Sequence, residues 1–336
     1  MKKVLFFISI PFLILGIISA TYMVRNWTPA INIPAISEVT SLDDIITTYI
    51  ENAKTKGLSI GTYQNGNVAF YNFGICSDEN PVAPTEQSIY EIGSITKTFT
   101  TAVLAQMVAE GKVQYDDPVA KYLPEEVVNW SSDVEITLEE LATHSSSLPR
   151  MPSNFLKRAM FSPGNPYKDY TVEDMYDFLK EFEPKAKTER KSDYSNLGMG
   201  LLGHILAMVE EVTYEAMVQK RIFQPLGMDA SVIEITEGQM IQGHDGSGSP
   251  TSQWDLPTLA GAGAIRSNTI DMMKYLEANI TEQHPYVLTH APKKELSDFQ
   301  KIGLAWISQN NDGQAFHWHN GGTGGFRTFT GFSKEE

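Results

Sequence analysis

The order of elements legible in the chain predicts an α+β fold, an antiparallel sheet flanked by helices with a mostly helical second lobe. Three observations carry this expectation. A helical pattern runs directly into an antiparallel hairpin, which argues against a parallel βαβ start. Residues 137–226 read almost entirely as helices and loops, and strand patterns return only from Gly303 onward. With 336 residues, 42% hydrophobic and 20% charged, the chain can bury a sizeable core by packing alone.

The elements follow in order. Lys2 and Lys3 precede 21 uncharged residues from Val4 to Val24, so residues 1–24 read as an export signal, either cleaved near Ile18-Ser19-Ala20 or kept as a membrane anchor with the remainder outside. Residues 25–40, with Pro29 and Pro34, read as an extended linker. The folded domain is expected over 41–336. It opens with a capped helix in which Leu42, Ile45, Ile46, Tyr49, Ile50 and Ala53 recur at helical spacing behind Ser41, Asp43 and Asp44. Leu58 to Tyr63 and Val68 to Gly74 then flank Gln64-Asn65-Gly66-Asn67, and an Asn-Gly step between β-rich runs is a strong hairpin signal. Thr98 to Glu110 predicts a helix stopped by Gly111, and Val172 to Phe182 and Leu197 to Val212 predict helices of the second lobe, roughly 137–226. Gly303 to Ser308 and the run from Gln314 predict late strands. No internal repeat is present.

Charge and cysteine content narrow the function. Acidic residues outnumber basic ones 41 to 26, a net charge of −15, which excludes nucleic acid as a generic partner. The single cysteine, Cys76, allows no internal disulfide and no cysteine-based metal cluster. His317 and His319 alternate on one strand face, but no third ligand has convincing spacing, so no metal is expected, and Gly321-Gly322-Thr323-Gly324-Gly325 is no dinucleotide fingerprint because no helix follows it.

The sharpest chemical feature is Ser94-Ile95-Thr96-Lys97 at the head of a helix. A serine and a lysine three apart share a helix face within contact range. Serine becomes a nucleophile when a neighbouring base takes its proton, and lysine becomes that base when burial and positive fields lower its pKa. The helix N-terminus adds backbone N–H groups for a developing oxyanion. Alone, the S-x-x-K spacing is a weak signal, since it arises by chance in a chain of this size and Ser94 then reads as a helix cap. Two further stretches add weight: Tyr194-Ser195-Asn196 before a helix offers a phenol and a carboxamide, and His319-Asn320-Gly321-Gly322-Thr323-Gly324-Gly325 lets a strand approach a ligand closely.

These three motifs, in this order, resemble the S-x-x-K, Y-x-N and H-x-G elements of the penicillin-recognising serine hydrolases, in the branch of class C β-lactamases and DD-peptidases. Asp116-Asp117-Pro118-Val119, Tyr122-Leu123-Pro124, Leu141 to Pro149 and Pro225-Leu226-Gly227-Met228 are similar as well. The resemblance spans Ser41 to Phe332 and implies the β-lactamase/transpeptidase-like fold. It implies acylation of Ser94, proton traffic shared by Lys97 and Tyr194, a substrate amide held by Asn196, and a substrate carboxylate facing His319 beside Gly321. The oxyanion would lie between the N–H groups of Ser94 and Gly322. The expected partner is a small molecule or peptidoglycan peptide, with no obligate protein partner. The expected location is extracytoplasmic, with membrane attachment if the leader stays.

Two departures qualify the resemblance. Most class C β-lactamases have Lys where this chain has His319, and Ser or Ala where it has Thr96. An imidazole with an ordinary pKa near 6.5 is only partly cationic at neutral pH, so peptidase or general esterase activity is favoured over efficient β-lactam turnover. Arg327, eight residues after His319, reads either as the missing charge or as a solvated strand residue. The chain also ends where the family continues into a further strand and a closing helix, so a membrane-tethered penicillin-recognising binding protein or an inactive truncated relative is the alternative expectation.

Overall fold

The computed structural model describes residues 44, 46, 48–50, 55–128, 130–131, 133–236, 240–283, 285–311 and 314–333. The expected leader, the linker and much of the first helix lie outside the described residues, while residues 44, 46 and 48–50 are helical.

The hairpin follows its turn chemistry. Strand β1 (Gly57–Gln64) pairs antiparallel with β2 (Asn67–Gly74), and Asn65 and Gly66 both take positive φ, 51° and 78°. That two-residue turn matches the twist of the strands it joins. The short β3 (Tyr90–Glu91) pairs with β4 (Arg266–Ser267). After β3 a 3-10 turn, Gly93–Ile95, leads into α1 (Thr96–Ala109). This helix is enclosed: Phe99, Ala102, Val103 and Leu104 are fully buried, and the Phe99 ring stacks on Tyr275 with centroids 3.8 Å apart.

The second lobe contains α2 (Leu138–Ala142), α3 (Phe155–Ala159), α4 (Val172–Glu181), α5 (Asn196–Val209), α6 (Tyr214–Val218) and α7 (Gln224–Leu226). Helices α2 and α4 start at reciprocal capping boxes, Thr137 with Glu140 and Thr171 with Asp174, each cap contributing about 1 kcal/mol. On α4, Met175 and Leu179 turn inward one helical turn apart while Glu173 and Lys180 stay near solvent.

After α8 (Ala260–Gly263) and β4 comes α9 (Thr269–Ile280), capped by Asn268, whose Oδ1 accepts the Asp271 N–H at 2.9 Å. It packs on β1 and on the last strand. The late strands are β5 (Lys294–Glu295), β6 (Gln300–Ile302), β7 (Ile307–Asn311), β8 (Gln314–Gly322) and β9 (Arg327–Ser333), antiparallel and adjacent in chain order. The architecture is therefore α+β. The expected strand Gly303 to Ser308 starts only at Ile307. Residues 303–306 instead form a buried turn in which Gly303 N–H bonds the Trp306 carbonyl, Ala305 N–H bonds Ala142 O, and Ala305 has φ 64°. An apolar run was mistaken for a strand because burial, not pairing, sets its composition.

Candidate active site

Ser94 sits in the 3-10 turn at the head of α1, partly open to solvent. Lys97 is completely buried, with Nζ 3.0 Å from Ser94 Oγ and 2.6 Å from the Ala262 carbonyl oxygen. Burial, reinforced by the positive field of Arg150, holds the Lys97 pKa well below the ordinary lysine range. A neutral amine that donates one N–H to Ala262 keeps a lone pair for the Ser94 proton. The segment bearing Ala262 is clamped to α1 on both sides. Thr100 Oγ1 donates to Gly261 O at 2.8 Å, and Thr96 Oγ1 accepts the Ile265 N–H at 3.1 Å. The hydroxyl of Thr96 thus has a structural task.

Tyr194 lies just before α5. Its neighbour Ser195 caps that helix by accepting the Gly198 N–H at 2.8 Å and donates to Pro149 O at 2.7 Å, while the Arg150 carbonyl accepts from Asn196 and Leu197 N–H at 3.0 and 3.3 Å. The Tyr194 hydroxyl is hydrogen-bonded to Ser94, and burial pushes its pKa up to about 12. It remains a phenol at neutral pH, able to pass a proton on. Lys97 Nζ and Arg150 Cζ each lie 4.9 Å from the Tyr194 ring centroid. The His144 ring is 4.5 Å away and that of His319 6.4 Å. Asn196 Nδ2 donates to the Tyr167 hydroxyl at 3.3 Å, and its Oδ1 is buried without a hydrogen-bond partner among the described residues.

Strand β8 forms the facing wall. A side chain at Gly321 would place Cβ 2.0 Å from Ile92 O, and one at Gly93, where φ is 52°, would reach 2.7 Å from Gly322 N. Only glycines let the strand backbone lie directly on the turn that carries Ser94. His319 is 2% exposed, and its Nδ1–H donates to Asn320 O at 2.7 Å. Burial, with Lys97 nearby, lowers its pKa to about 3. The imidazole is therefore neutral with Nε2 left as an acceptor, in contrast to the partly cationic donor expected from an ordinary histidine. Arg327 folds back on its own turn, Nη1 donating to Thr323 O at 2.6 Å and Phe326 O at 2.8 Å. Beneath that turn Glu91 Oε1 accepts the Trp254 N–H at 2.6 Å, and burial raises the carboxyl pKa.

Ser94, Lys97, Tyr194 and His319 thus share one cleft, with Gly321 and Gly322 along its strand wall and Asn196 one step further on the helical side. Sequence reasoning missed Arg150, which directly follows the Leu141 to Pro149 stretch, and the Ala262 carbonyl. His144, inside that stretch, is likewise brought to the site, with its ring 4.5 Å from that of Tyr194. Cavities of about 560 Å³, between α5, α6 and residues 257–261, and about 360 Å³, beside Arg190 and Lys294, do not have Ser94 in their lining.

Residues 42–336 match the family model described as Beta-lactamase. The chain is 27% identical over 247 residues to a beta-lactamase of Pseudomonas fluorescens, covering 73% of this chain and 64% of the relative. It is 28% identical over 243 residues to one of Providencia stuartii, covering 71% and 59%. The chain therefore spans about three fifths of the length of these curated relatives. With the D-alanyl-D-alanine-carboxypeptidase/endopeptidase AmpH of Escherichia coli K12 it shares 25% identity over 323 residues, 88% of this chain and 81% of that one. Among solved structures, a class C beta lactamase from Rhodobacter sphaeroides matches with a TM-score of 0.74 at 23% identity over 87% of this chain and 90% of that chain. The octameric penicillin-binding protein homologue from Pyrococcus abyssi matches with a TM-score of 0.75 at 26% identity, over 88% and 70%.

Proposed function

The chain belongs to the beta-lactamase family, and on that premise we propose that it is an exported serine acyl hydrolase working through an acyl-enzyme on Ser94. The carrying observation is the buried Lys97 amine 3.0 Å from the Ser94 hydroxyl. In acylation, neutral Lys97 accepts the Ser94 proton as Oγ bonds the substrate carbonyl carbon. The oxyanion faces the N–H groups of Ser94 and Gly322. Collapse breaks the bond to the leaving amine or alcohol, which receives the proton from Lys97 by way of the Tyr194 hydroxyl. Water then attacks the ester, returns a proton to Ser94 by the same route, and releases the acid. Asn196 holds the amide of the acyl part.

The substrates proposed are D-alanyl peptides and short esters first, with β-lactams as slower acylating agents. Two observations support the ranking: the neutral His319, which brings no positive charge to a substrate carboxylate, and the match to a carboxypeptidase over most of both chains. Export, with residues 1–24 as signal or anchor, is supported by Lys2, Lys3 and the uncharged run that follows.

Incubation with labelled penicillin followed by a chase, beside a D-alanyl-D-alanine peptide and a short ester, tests the reading. Label bound in wild type and absent in Ser94→Ala, with turnover of peptide or ester, is the expected result. A folded sample that neither binds label nor cleaves any of the three substrates overturns it. Fractionation of cells expressing the full chain tests export, and a wholly cytoplasmic product refutes it.

A further inference from the structure

We propose that Arg150 is the specificity-determining cation of the cleft, selecting acyl groups that carry a carboxylate on the Asn196 side. This rests on the acyl-hydrolase reading of Ser94.

Lys97 is buried and serves as the base, His319 is neutral, and Arg327 Nη1 is spent on two carbonyls of its own turn. Arg150 is exposed, and its guanidinium lies against the face of the Tyr194 ring, 4.9 Å from the centroid. Its backbone is fixed where it matters, because its carbonyl accepts the N–H groups of Asn196 and Leu197. Its positive charge acts on Lys97, His144, Tyr167 and Tyr194. Arg150 therefore belongs to the wall built by Tyr194, Asn196 and Tyr167, opposite β8.

That placement defines the ligand chemistry. Tyr194 meets Ser94 through its hydroxyl and Arg150 through its ring face, so a group reaching Arg150 from the scissile carbonyl must pass along the ring. The guanidinium is a planar fork suited to a carboxylate, permanently charged and only weakly hydrated. On a chain of net charge −15 such a cation also counters the repulsion an acidic substrate meets on approach. The preferred acyl donor is thus one with an acidic group several bonds beyond the reacting carbonyl, in the part retained as acyl-enzyme and not in the leaving group.

The test compares mono-p-nitrophenyl adipate with p-nitrophenyl hexanoate, which differ by the terminal carboxylate. Wild type should show the higher kcat/KM on the adipate ester, and Arg150→Gln should lower the adipate-to-hexanoate ratio by roughly 10- to 100-fold. Arg150→Lys should fall between, and Arg150→Glu should shift preference to the aminohexanoate ester. Equal losses on both esters overturn the proposal and mark Arg150 as merely structural. A binding arm separates this outcome from failure of the hydrolase reading. In Ser94→Ala, calorimetric titration should show adipic acid monoamide bound more tightly than hexanamide, with the difference removed by adding Arg150→Gln. If wild type cleaves neither ester, the hydrolase reading fails, yet titration still decides on Arg150: equal binding of the two amides refutes it.

Discussion

His144 grips Tyr194 from both sides: its carbonyl accepts the Asp193 N–H at 2.7 Å, its Nδ1 accepts the Ser195 N–H at 3.2 Å, and its ring lies 4.5 Å from the phenol ring between them. Because Nδ1 is the acceptor, the proton of the neutral ring is on Nε2. Burial, with Lys97, His319 and Arg150 nearby, pushes the His144 pKa well down and favours this neutral form.

Replacing His144 should therefore disturb the reaction through Tyr194. His144→Phe keeps a ring but leaves the Ser195 N–H unpaired, at a cost of about 1–3 kcal/mol. Steady-state kinetics should show kcat falling more than KM rises, as the phenol drifts from Ser94. His144→Asn should recover part of both losses, since asparagine tolerates the φ of 56° and can offer an acceptor. Urea unfolding gives the stability change. Equal kinetics for the Phe and Asn variants would show that the acceptor is irrelevant.

Activity should rise with pH as Lys97 loses its proton, along a limb lying below the ordinary lysine range. Tyr194, pushed up to about 12, should add no falling limb below that pH. Arg150→Gln removes a positive field that depresses the Lys97 pKa, so the limb should move to higher pH. A pH profile of kcat/KM on a neutral ester reads this directly, and an unmoved or lowered limb would contradict the assigned base.

Gly321→Ala should cost both fold and catalysis, because its Cβ would fall 2.0 Å from Ile92 O and lever β8 off the Ser94 turn. Displacing the Gly322 N–H, the proposed oxyanion donor, is expected to reduce kcat by about 100-fold or more. Gly246→Ala, where nothing lies within 4 Å of the added carbon, is the matched control and should melt within a few degrees of wild type. Thermal melts and kcat on one ester distinguish the two.

The buried histidines should also make the protein acid-sensitive. His144 and His319 have folded pKa values below their unfolded value, so the unfolded chain binds more protons once the pH drops beneath about 6.5. Stability should fall with pH from there, each histidine contributing up to about 1.4 kcal/mol per pH unit, His319 until about pH 3. Glu91 works in the opposite sense: its raised pKa lets the folded state hold a proton more tightly, a gain realised at low pH and lost as the carboxyl ionises. Denaturant unfolding across pH 4.5 to 7, roughly between the ordinary glutamate and histidine values, should give a slope that flattens in His319→Gln.

What could be read beforehand was local. The Asn65-Gly66 turn, the Ser94 to Lys97 spacing and the helix ended by Gly111 follow from short-range stereochemistry, and each appears where the residues predict it. Helix α9 went unanticipated although Asn268 and Asp271 form its cap. The charge of His319 was not legible, because alternation along a strand says which face a residue takes and not how deeply that face is covered. The Ala262 contact joins residues 165 apart and uses a backbone oxygen, which leaves no compositional mark. Arg150 is visible as a cation in the sequence, but its place on the Tyr194 ring depends on two loops meeting.

Because the second partner of Lys97 is the Ala262 main-chain oxygen, no codon change at 262 can delete it. Such an anchor is inherited as the path of the chain, kept by the clamps from Thr96 and Thr100. Drift at 262 can alter how the site is shaped while the atom that steadies Lys97 persists. A relative could therefore remodel its cleft for a different acid or leaving group, one side chain at a time, without first losing the contact that holds the Lys97 amine.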